Sequence, residues 1–167
     1  MTGMIALSLL AAAVTNAALP AGNGESPLSL SGTWRMEAAY ERRADGSITR
    51  NYGLHPQGLM MVDAAGHYTI QIFREDRRPF RSDDKTQGDP AEYRDAALGS
   101  STHFGSVRLD AAHRQLVFSI EAASFPNWNG KTQVRTFTYR DGLLTYAVPA
   151  SASGNGSVAY SVWRRIG

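Results

Sequence analysis

Apolar and polar residues alternate with a period of two along most of this chain, most clearly in Trp34-Arg35-Met36-Glu37-Ala38-Ala39-Tyr40-Glu41. That period sends one set of side chains to a core and the other to solvent, so residues 34–41 are predicted to form a half-buried strand. Ala44-Asp45-Gly46 reads as a hairpin turn, because Asp-Gly accepts the positive φ that tight hairpins need, and residues 47–52 return as a second strand. His55-Pro56-Gln57-Gly58 breaks the pattern, and strands follow over 58–63 and 67–74, joined at Ala64-Ala65-Gly66. Residues 77–88 are charged, contain Pro79 and show no period, which makes them a loop. Asp89-Pro90 then opens a helix. Asp is a cap, Pro suits the first helical position, and Glu92 stands where a capping box requires it. The helix is predicted over 90–98, with Tyr93, Ala96 and Ala97 on one stripe, as a lid or plug across one mouth of the fold.

The period of two resumes over 103–109, 115–125, 132–140, 143–148 and 158–166, with Asp141-Gly142 as a second hairpin turn and residues 151–156 as a small-residue turn. Nine strand candidates in sequential hairpins, with a single helix, specify an all-β fold. A closed up-and-down antiparallel barrel of eight or nine strands with one short helix is the economical arrangement, because closure leaves no strand edge unpaired. The two ends of the pattern supply a latch. Trp34, just after Gly32, is suited to plugging one end of a core, and an Arg from Trp163-Arg164-Arg165 in the last strand would lie across its face. Arg164 and Arg165 point to opposite faces, so only one of them can do so.

These segments together resemble the bacterial and fungal lipocalin-like domain family. The resemblance is carried by Gly32-Thr33-Trp34-Arg35, Asp45-Gly46, Gly58-Leu59-Met60 and Tyr68-Thr69-Ile70-Gln71-Ile72. It continues through Arg78-Pro79-Phe80, Phe104-Gly105, Phe125-Pro126-Asn127-Trp128 with Gly130, Val134-Arg135 and Trp163-Arg164-Arg165. It implies a calycin-type barrel with an internal cavity and no obligate cofactor, and it supplies no reaction. Relatives tend to carry a His near the position of Phe118, which is apolar in this chain.

Residues 1–18 are uncharged and apolar and end near the small-x-small run Thr15-Asn16-Ala17, so they read as a signal peptide, though no Lys or Arg precedes them. Export to a secreted or periplasmic location is the corresponding expectation. Residues 19–27 read as a linker, and 28–167 as the single barrel domain. The chain has no cysteine, which excludes disulfides, Cys-based metal sites and thiol nucleophiles. Net charge is +2, and the paired arginines at 42–43, 77–78 and 164–165 are scattered among acids. No stripe for nucleic acid emerges, and no stable membrane insertion is expected.

Candidate chemistry is sparse. If the strands flanking Trp128 pair symmetrically about it, Glu121 and Arg135 lie opposite one another, either as a structural salt bridge or as the polar pair of a cavity. Phe137 would share their face. Four histidines occur at no metal-ligand spacing, and no metal site is expected. Only His103 is placed to face a cavity mouth, where it or Glu121 would be the acid or base of any reaction. Gln71, if inward, and Arg135 would hold a ligand oxygen. Tyr68, Phe104 and Trp128 are further candidates for contact, with packing the competing role. No phosphate-binding glycine loop, nucleophile elbow or dinucleotide fingerprint occurs. The expected function is therefore binding of a small hydrophobic molecule inside the barrel, without a cofactor. The alternative is a cofactor-independent isomerase, cyclase or hydratase acting on a hydrophobic natural product.

Overall fold

The computed structural model describes residues 28–148 and 156–167. The expected leader over 1–18, the linker over 19–27 and nearly all of the turn over 151–156 lie outside the described residues. The strands are β1 (Gly32–Arg42), β2 (Ile48–Thr49), β3 (Gln57–Val62), β4 (His67–Phe73), β5 (Ser100–Asp110), β6 (Gln115–Ala123), β7 (Thr132–Arg140), β8 (Leu143–Val148) and β9 (Val158–Arg165). One α-helix, α1 (Pro90–Leu98), joins β4 to β5.

Every neighbouring pair is antiparallel, and β1 pairs with β9, so β1 and β3–β9 close an eight-stranded barrel. The predicted strand over 47–52 shrinks to the two residues of β2, which pair with Glu41 and Arg42 at the far end of β1. A turn at Arg50–Gly53, with Gly53 at positive φ, takes the chain off the ladder there. Because β3 pairs only with residues 32–35 of β1, the second half of β1 has no strand beside it on that side until β2. That break in the wall sits at one end of the barrel.

The other end is filled. Trp34, Trp163, Met60, Leu116 and Leu144 are all fully buried there. The Trp34 indole N–H donates to the Leu30 carbonyl at 2.8 Å, which satisfies its one polar atom. Gly32 explains the close approach beside it. The Gly167 carbonyl accepts from Thr33 N at 2.9 Å, and a Cβ on Gly32 would stand 2.4 Å from that oxygen.

The helix starts as its sequence dictates. The Asp89 carboxylate accepts from Glu92 N, and Glu92 Oε2 accepts from Asp89 N, both at 2.9 Å. It is not a lid or plug, however. None of its residues is buried, Tyr93 packs on Phe80 (5.5 Å between centroids), and α1 is tied to the barrel flank by Asp95 with Arg74. A helix with so little apolar surface gains nothing by covering a mouth.

Candidate functional site

Alternation decides what reaches the barrel interior. Residues 103 on β5, 118 on β6, 135 on β7, 146 on β8 and 161 on β9 all point inward and are buried. Beyond this layer, toward the break in the wall, lies a cavity of about 110 Å³. Its wall is made chiefly by Tyr52, Ile72, His103, Trp128, Arg135 and Tyr146, with Ser161 and Val148 beside them.

Arg135 is the least expected of these. It is 1% exposed. Its Nε and Nη2 both donate to Gln133 Oε1, at 3.2 and 2.8 Å. The guanidinium lies over the Phe118 ring at 4.3 Å and the Tyr146 ring at 5.2 Å, and the Tyr146 hydroxyl also meets it. These contacts solvate the group, which is how it tolerates burial. All of them are neutral, and no carboxylate among the described residues forms an ion pair with it. Burial pushes its pKa down from the ordinary value, but an arginine stays protonated in proteins, so a positive charge stands at the cavity wall, which Glu41 also lines.

Next to it, Tyr68 Oη and His103 Nδ1 are 2.8 Å apart and buried. Desolvation first, and the Arg135 charge second, hold His103 down to about 3. Burial pushes the Tyr68 phenol up. At neutral pH the pair is thus an uncharged hydrogen bond. The rings pack edge to face: His103 on Trp128 at 5.7 Å and Tyr68 on Phe118 at 5.0 Å. The Trp163 indole N–H is buried and lies near the Tyr146 hydroxyl, yet reaches no acceptor in hydrogen-bond geometry.

His103, Arg135 and Trp128 therefore come together on one cavity wall, Tyr68 stands directly behind His103, and Phe137 is half-buried against the core. Glu121, Gln71 and Phe104 do not join them. All three are exposed on the outer face of the barrel. Arg135 sits opposite Leu116, not Glu121, a slip of five residues from symmetric pairing, and an odd slip reverses the face. The loop causes it. A 3-10 turn at Pro126–Trp128 and the bond from Ala123 N to Asn129 Oδ1 hold it open instead of as a symmetric hairpin. Glu121 is also the extra residue of a bulge, since Phe104 pairs with Ala122 and Gly105 with Ile120.

At the opposite end, Arg165 lies over Trp34, whereas Arg164 turns outward to Glu37 at 2.8 Å. Tyr146 and Ser161 escaped notice in the sequence, although Tyr146 shares its alternation with Leu144 and Val148. Among the described residues no group of three or more His, Asp or Glu side chains converges as a metal centre would require, and no helix is long and apolar enough to cross a membrane.

A family model described as a lipocalin-like domain matches residues 31–166. No curated protein matches the chain.

Proposed function

From the membership of this chain in the lipocalin-like domain family, we propose that it is a binding module that holds a small, largely apolar molecule inside its barrel. The observation that carries this reading is the division of the interior. One end is packed solid by Trp34, Trp163 and Leu144, and the other encloses a cavity whose wall is mostly aromatic and aliphatic with a few placed polar groups. Ligand sites have that make-up. The volume, about 110 Å³, suits a compact molecule or one end of a longer one reaching out through the break beside β1.

A second reading, a cofactor-independent isomerase, cyclase or hydratase, draws support from the His103–Tyr68 pair at the cavity. Both groups are tuned away from neutrality, His103 down to about 3 and Tyr68 upward. A general acid or base works best with its pKa near the operating pH, which places binding first. Glu121, on the outer face, has no part in either reading. Export to a secreted or periplasmic location, resting on the apolar residues 1–18, belongs to the same proposal.

Native mass spectrometry of protein purified from its own host tests the binding reading. A bound mass released on denaturation is expected. Protein that carries no adduct, and whose melting temperature no small apolar compound raises, would count against it. Turnover of the captured ligand by wild type but not by His103→Ala would move the assignment to the enzyme.

A further inference from the structure

We propose that the molecule held in the barrel is a monoanion, a small carboxylic acid whose carboxylate pairs with Arg135 while its apolar body lies against the aromatic wall. This rests on the binding reading above and specifies its ligand.

Three observations meet at one place. Arg135 is a buried cation on the cavity wall, and no carboxylate among the described residues forms an ion pair with it. Buried charges in proteins are normally paired or bound to a counter-ion, because the low-dielectric interior makes an isolated one costly. The second observation is the set of donors that the guanidinium itself has to spare. Gln133 Oε1 takes two of the five guanidinium N–H groups and the Tyr146 hydroxyl is a further partner, so these partners do not use up the group's five donors. A ligand rich in acceptors and free of donors meets both the charge and the spare donors of Arg135, and a carboxylate is that ligand. Third, the acid–base groups of the wall do not supply the missing charge: Glu41, which also lines the cavity, accepts from Ser157 Oγ and forms no ion pair with Arg135. His103 and Tyr68 satisfy each other as neutral partners.

Size and charge narrow the class. One guanidinium matches a single negative charge, whereas a phosphate dianion would bring a second charge with no cation to meet it at this wall. The cavity of about 110 Å³ is smaller than the apolar cavity of about 150 Å³ that takes up benzene, so it accepts a carboxylate and a few carbons, with the rest of the body in the break beside β1. Trp128 and Tyr146, which line the cavity, favour a flat or short-chain body.

Isothermal titration with matched acids and amides tests this: benzoate against benzamide, and hexanoate against hexanamide, on the wild-type protein. Each acid should bind at least about tenfold more tightly than its amide, because the amide leaves the buried cation unpaired. In Arg135→Met, checked for folding by circular dichroism, the acid's advantage should fall to within about twofold. Arg135→Lys keeps the charge without the fork and should retain part of the preference. Amides that bind the wild type as tightly as the acids would overturn the anionic ligand and leave the binding reading standing. Failure of all four compounds to bind at millimolar concentration would count against both. A preference for acids that survives in Arg135→Met would place the anion elsewhere and overturn the assignment to Arg135. If the Met variant does not fold, the wild-type comparison still decides whether the ligand is an anion, and an undiminished preference in Arg135→Lys overturns the assignment to Arg135.

Discussion

Arg165 lies over the indole of Trp34, its Cζ 6.0 Å from the ring centroid, and the two residues stand directly opposite on β9 and β1, the strands that close the barrel. The same Trp34 is flanked on its other side by Met60 of β3 and meets Tyr139 edge-on at 6.4 Å. It therefore contacts three parts of the wall at once. The filled end has no room around this residue, which leaves the opposite end, with its cavity, as the place where a ligand can be accommodated.

Trp34→Ala should destabilise the fold by about 3–5 kcal/mol, the usual range for deleting a buried large aromatic. Arg165→Ala should cost much less, since the cation is exposed and its contact with the ring is long. Chemical denaturation of both variants measures this. A loss below roughly 1 kcal/mol for Trp34→Ala would mean that the end it plugs is held by other contacts.

Gly105→Ala should destabilise by more than about 1 kcal/mol. A Cβ at Gly105 would stand 2.1 Å from the Ser119 carbonyl oxygen, within the bulge that sets Glu121 outward, and backbone on both sides of that contact has no slack. Thermal unfolding of the variant gives the answer, and wild-type stability would show that the bulge relaxes freely.

Stability should fall as the solution is acidified from neutrality, with His103 as the main cause above about pH 4. Its pKa is depressed from 6.5 to about 3 by burial and by Arg135. The unfolded chain thus takes up a proton below pH 6.5 that the folded chain refuses until about pH 3, so the stabilisation is complete above 6.5 and is lost through that window. The limiting slope is about 1.4 kcal/mol per pH unit. Exposed His67, whose pKa Asp63 raises, acts weakly in the opposite sense. Urea titrations at several pH values should show a flatter slope for His103→Asn than for wild type, and identical slopes would remove His103 as the cause.

Arg135→Met should leave the unliganded protein as stable as wild type or more stable, by up to about 4 kcal/mol, because it replaces a buried charge with an apolar side chain of similar length. Denaturant midpoints measure it. A loss above roughly 2 kcal/mol would show that Gln133 and the Phe118 ring hold Arg135 for the sake of the fold.

What the sequence determined by itself was local. The strands over 132–140 and 143–148 were legible to the residue, because period-two alternation and an Asp-Gly turn are properties of neighbouring residues. The helix was too, since Asp89, Pro90 and Glu92 build its cap from within four positions. The strand over 47–52 was overextended because Tyr52 looks like the end of a strand, when it turns instead toward the cavity mouth.

Tertiary structure alone decided which polar side chains are inside. Glu121, Arg135, Gln71 and His103 all sit on strands that the alternation located, but their face depends on register. For Glu121 and Arg135, a turn at Pro126–Trp128 and the extra residue between the partners of Phe104 and Gly105 set that register. Because side chains change face at every residue, an odd slip between β6 and β7 sends Glu121 to solvent and leaves Arg135 in the barrel without the carboxylate that symmetric pairing would have given it. The cavity has a different origin, equally tertiary. It exists because β3 pairs with only the first residues of β1, a fact about strand lengths meeting in space that no local pattern contains.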